Sequence, residues 1–137
     1  MTKSNEYYLY QTIKTNLKNV HFTRVESTTI NGIPDVNACK NGSECWLELK
    51  CNSDKNLGLS KHQIVWIWNR TKAGGKVFIL NRPISQRAIK IYTGSVVHES
   101  GISDNVQPTL VLGPTKFDWE ALDKLLFPQA ASSSVVK

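Results

Sequence analysis

Two short runs, Pro34 to Cys39 and Glu44 to Cys51, flank the tetrapeptide Lys40-Asn41-Gly42-Ser43. Asn-Gly between apolar-rich runs is a hairpin signal, so the two runs are expected to pair as antiparallel strands. Side chains on a strand alternate with period two, which puts Cys45, Leu47, Leu49 and Cys51 on one face and Trp46, Glu48 and Lys50 on the other. The first run opens with Pro34-Asp35, after Gly32-Ile33. The hairpin therefore carries Asp35 on one arm and Glu48 on the other, with the Lys50 ammonium two residues past Glu48.

The surrounding pattern predicts an α/β domain. From about Asn5 to Asn19, Leu9, Ile13 and Leu17 recur at helical spacing, with Ser4 as N-cap and Glu6 on the inward edge of the apolar stripe. Val20 to Thr29 reads as a strand. After the hairpin, Asn52 to Leu59 is a polar loop that ends in Ser60-Lys61-His62-Gln63, the form of a capping box. The helix it opens continues through Ile64, Ile67, Trp68 and Thr71 to Ala73, and Gly74-Gly75 stops it. Lys76 to Leu80 and Ala88 to Tyr92 are short, β-branched strands. Residues 93 to 115 show no clear period, with Val96-Val97 and Leu110 to Leu112 as extra strand pieces. Phe117 to Phe127 returns to helical spacing and ends at Pro128. The order predicts a mixed β-sheet flanked by helices, as a single domain over residues 1–128 with a fraying tail at 129–137.

A chain of 137 residues is one domain long, and its net charge of +6 with a pI near 9.3 favours an acidic partner, nucleic acid first among them. Cys39, Cys45 and Cys51 are odd in number and no signal peptide precedes them, which points to reduced thiols in a cytoplasmic protein. Their spacing, with His62 added, matches no zinc finger or ribbon, so they read as buried or half-buried thiols. No apolar run approaches the ~20 residues a membrane helix needs.

Hydrolysing a phosphodiester calls for an activated water and positive charge beside the phosphate, and a divalent metal supplies both. Mg²⁺ takes carboxylate, carbonyl and water oxygens, so Asp35 and Glu48 match the demand, with the Leu49 carbonyl as a further ligand. Lys50, on the face of Glu48, could position the attacking water or steady the phosphate. Glu6 could reach the cluster from the first helix, with Glu26 as a competitor for that upstream role. Gln63 reads equally as a cap and as an active-site helper. The bland alternative makes Asp35 a turn residue and the Glu48–Lys50 pair a surface ion pair worth under about 1 kcal/mol. The hairpin between the carboxylates, the shared strand face and the inward Glu6 weigh against it. Trp66 and Trp68 read as core residues before base-stacking platforms. Lys61, His62, Arg70 and Lys72 read as a solvated helix face, with phosphate contact as the sharper option.

At Pro34-Asp35 and Glu48-Leu49-Lys50 the chain resembles the PD-(D/E)XK nuclease superfamily. Gly32 to Asp35, Trp46 to Lys50 and Ser60 to Gln63 look most like the G-x-P-D, aromatic-x-E-x-K and S-x-x-Q pattern of small stand-alone VRR-NUC proteins of phages. The likeness spans about residues 5 to 92. It implies a restriction-endonuclease-like fold with an αβββαβ core, Mg²⁺ or Mn²⁺ at Asp35 and Glu48, a catalytic Lys50, and Glu6 and Gln63 as helix-borne site residues. Such proteins are similar to Holliday-junction resolvases, which implies a homodimer acting on branched DNA in the host cytoplasm. A flap or restriction-type nuclease, or a non-catalytic nucleic-acid-binding module, remains as the alternative.

Overall fold

The protein is described by a computed structural model covering residues 4–26, 29–53 and 56–129. Helix α1 (Asn5–Asn16) is followed by strands β1 (His21–Arg24), β2 (Val36–Lys40) and β3 (Ser43–Lys50). Then come α2 (Lys61–Lys72), β4 (Val77–Asn81), β5 (Ile89–Thr93), the two-residue strands β6 (Val97–His98) and β7 (Gly101–Ile102), β8 (Leu110–Leu112) and α3 (Trp119–Leu126). Six strands form one sheet in the order β1-β2-β3-β4-β5-β8, and β6 and β7 form a small separate ribbon. Only β3 and β4 are parallel, because α2 is the crossover between them.

The hairpin forms as expected. Asn41 and Gly42 hold φ angles of +52° and +80°, as a tight hairpin turn requires, and the arms pair with Val36 opposite Leu47. The expected strand over Val20 to Thr29 is shorter: β1 stops at Arg24, with Val25 N–H bonding the Asp35 carbonyl, and residues 27 and 28 lie outside the described residues. The stretch without a period contains a 3-10 turn at Gly94–Val96, the β6–β7 ribbon and β8, which joins the main sheet beside β5. Helix α3 starts at Trp119, one residue after its N-cap Asp118, two later than the spacing suggests. Residues 130–137, expected to fray, lie outside the described residues.

Alternation along β3 divides the core in two. Cys45, Leu47 and Leu49 join Leu9, Ile13 and Leu122 in a cluster beneath α1 and α3. Trp46 faces the other way, toward Ile67, Ile79 and Tyr92 beneath α2. Glu48 lies on this second face at 2% exposure, and it and Asn81 are the buried polar or charged side chains among the described residues.

Gly32 locks the loop before β2 onto α2. Its φ is +85°, and a Cβ there would fall 2.2 Å from the His62 carbonyl oxygen. Gly42 has a similar φ of +80° with open space around it. Gly32→Ala should therefore lose clearly more stability than Gly42→Ala, which carries only the left-handed backbone cost of about 1 kcal/mol. Urea titration of both variants checks this, and equal losses would contradict the close approach.

Candidate active site

Carrying the hairpin register one residue past Val36 and Leu47 sets Asp35 opposite Glu48, both on the α2 face of the sheet. Asp35 is fixed there by its neighbour strand: its Oδ2 accepts the Leu49 N–H at 2.8 Å. In an extended strand one residue's N–H and C=O point the same way, so the Leu49 carbonyl is also directed to the side where β2 has begun to give way to Asp35.

Glu48 is held from the other side by α2. Its Oε2 accepts the Gln63 Nε2 amide at 2.9 Å and lies 3.6 Å from the Lys50 ammonium. The Gln63 Oε1 accepts two further donors, the Ser60 N–H at 2.8 Å and Lys50 Nζ at 3.1 Å. Ser60 returns a capping bond to the Gln63 N–H at 3.2 Å. Cap and site partner are thus one and the same conformation of Gln63. With its oxygen doubly bonded, only its amide hydrogens can face Glu48.

Lys50 makes one more bond, donating to the Gly58 carbonyl at 3.2 Å. That carbonyl is placed by residues the sequence reading did not single out. Asn81 accepts the Asn52 N–H at 2.9 Å and donates to the Ser53 carbonyl, while the Asn52 amide donates to the Leu57 carbonyl. A buried asparagine ending the apolar run Val77-Phe78-Ile79-Leu80 was the available signal.

Glu6 is not among the charges that bear on Glu48. It comes to the far face of the sheet instead, where it and, first, burial raise the Cys51 thiol's pKa. Glu26 is exposed beyond the end of β1. The Cys45 thiol, in the core under α1, is pushed up to about 12 by burial and stays protonated, unlike a metal-binding thiolate. Lys61, His62, Arg70 and Lys72 are exposed, while Trp66 and Trp68 are half-buried against the core beneath α2.

Glu48 Oε1 is buried and accepts no hydrogen bond. Burial, then the facing Asp35 charge, push the Glu48 carboxyl up to about 8, against the lowering effect of Lys50. A divalent cation fits this pair: it would answer the bare oxygen and relieve the repulsion between two carboxylates. Among the described residues no three His, Cys, Asp or Glu side chains come together, so the remaining ligands would be the Leu49 carbonyl, water and phosphate.

No protein-family model matches the sequence, and no curated protein is similar to it in sequence. Among solved structures the chain is similar to Hjc, a Holliday junction resolvase from the archaeal hyperthermophile Archaeoglobus fulgidus. The two share 14% identity over 73% of this chain and 85% of that one, with a TM-score of 0.53. The expected mixed α/β fold with flanking helices is therefore the fold found, and it is shared with Hjc.

The raised Glu48 carboxyl sets a pH dependence. Between about pH 4.5 and 8 the folded protein keeps a proton that the unfolded chain releases, so stability falls as pH rises through this window and levels off above it. The span is on the order of 5 kcal/mol. In EDTA, Glu48→Gln should remove this slope and be more stable than wild type at pH 8, as read by urea titration. A wild-type protein no less stable at pH 8 than at pH 5, relative to Glu48→Gln, would contradict it.

Proposed function

We propose that this chain is a divalent-metal-dependent, structure-selective DNA endonuclease of the PD-(D/E)XK type, in its VRR-NUC branch, that resolves branched DNA. The observation that carries the reading is the buried, unpartnered Glu48 oxygen opposite Asp35, with Lys50 and Gln63 gathered on the same face. The likeness in fold to Hjc and the net charge of +6 support it. A phage source and a homodimer with two such sites belong to the same reading.

A divalent cation held by Asp35 and Glu48 would supply positive charge to the phosphate and acidify water. The protein's own groups arrange the rest. Asp35 is oriented by the Leu49 N–H, which bonds its Oδ2 and holds the carboxylate facing Glu48. Gln63 holds Glu48 Oε2, while Oε1 is left without a hydrogen bond. Lys50 stands within ion-pair distance of Glu48 and can position the attacking water or steady the non-bridging phosphate oxygens. Gln63 accepts from Lys50, and that bond keeps the ammonium turned toward the cluster. Gln63 therefore acts as a positioning residue for both charged partners.

With Mg²⁺ and a fluorescent four-way junction, wild type should cut and Asp35→Asn or Glu48→Gln should fall by about a thousandfold, with junction binding within a few-fold. EDTA should abolish cleavage. Full cleavage in either variant or in EDTA would overturn the reading, and no cleavage of junction, flap or duplex by wild type would leave a binding module. Gln63→Ala should lose roughly 10- to 100-fold in kcat and about 1 kcal/mol of stability, one interaction set serving site and helix cap. An unchanged kcat alongside the stability loss would reduce Gln63 to a cap.

A further inference from the structure

Helix α2 bears Lys61, Arg70 and Lys72 and no acidic residue. One stripe of it, with Asn31 from the loop before β2, lines a groove of about 340 Å³. The stripe runs through His62, Val65, Trp66, Asn69 and Arg70, and begins beside Gln63, the residue that holds Glu48. Trp66 meets Trp46 edge-on with ring centroids 5.3 Å apart, and the Arg70 guanidinium lies 4.6 Å from the Trp66 ring centroid. Val65 is 49% exposed at the groove, although it is apolar. The close approach of Gly32 to the His62 carbonyl seats Asn31 against the helix as the opposite wall.

We propose that this groove receives one unpaired base of the DNA strand whose phosphate lies at Asp35 and Glu48. The proposal rests on the nuclease reading of that pair. Aromatic and guanidinium planes offer a stacking surface that accepts any base, and Asn31 and Asn69 offer amide donors and acceptors to its edge. The flanking Lys61, Arg70 and Lys72 complement the phosphates on either side. Trp66 is one helical turn from Gln63, a rise of about 5 Å, and Gln63 bonds Glu48, so the groove opens next to the helix residue that holds the carboxylate. A base stacked in duplex cannot enter without being taken out of its stack, whereas a base at a branch point or in a single strand can. The groove thereby selects for unpaired nucleotides beside the cut.

The test uses the full chain in EDTA, where no cleavage competes. An eight-nucleotide single strand carrying 2-aminopurine and a sixteen-base-pair duplex are titrated against wild type, Trp66→Leu and Val65→Gln, both substitutions leaving the charge unchanged. Wild type should quench the 2-aminopurine, and both variants should weaken single-strand binding by about tenfold while duplex binding changes less than twofold. Val65→Gln, at an exposed position, should keep the wild-type melting temperature. Equal shifts for both nucleic acids, unchanged single-strand binding, or no quenching by wild type would overturn the proposal. No quenching by wild type that still cleaves the junction would sink this inference alone; quenching as expected without cleavage in Mg²⁺ would sink the nuclease reading.

Discussion

A carboxylate kept from water inside a sheet is costly unless something meets its charge, and Glu48 is such a group. Its position follows from alternation: β3 pairs on both edges and is covered on both faces, so any residue at that register is buried. Lys50 and Gln63 answer one oxygen and leave the other bare beside Asp35. Burial and the second carboxylate then favour the protonated form, and a cation bound here would take the place of the proton. A stable fold would have had an apolar residue here. Retaining the carboxylate makes chemical sense as part of a metal site.

The same economy of parts appears at the start of α2. A helix N-terminus needs its free N–H groups satisfied, and a capping box does so with Ser60 and Gln63. The cap consumes the Gln63 oxygen, which orients the amide toward Glu48, and the oxygen's second lone pair takes Lys50. Helix position and side-chain position are thus set together. The loop leading into the cap is pinned by Asn52 and Asn81, so Gly58 can offer its carbonyl to Lys50.

Much of this was legible in the residues. Asn41-Gly42 fixed the hairpin, period two fixed which face Glu48 and Lys50 share, and Ser60-x-x-Gln63 fixed the helix start, because each is a local rule that tertiary context did not override. Glu6 was less so: helical spacing shows that it sits at the inward edge of α1, yet the face of the sheet that α1 covers is a tertiary choice, and it is the one opposite Glu48. The short strands β6 to β8 carry too few residues for a period to emerge, and the anchoring role of Asn81 depends on a loop many residues away. Trp66 reads as core by pattern, yet it is only half-buried against the core beneath α2 and also lines the groove. Its place in the groove depends on the loop that Gly32 docks beside it.

The central claim is that Asp35 and Glu48 together hold a divalent cation. Anomalous diffraction from crystals soaked in Mn²⁺ tests it directly, at a pH above 8 where Glu48 gives up its proton readily. The account predicts a single strong manganese peak between the two carboxylates, within coordinating distance of both and absent from Glu48→Gln crystals. Ordered density for both side chains with no peak between them, or a peak that persists in Glu48→Gln, would contradict it.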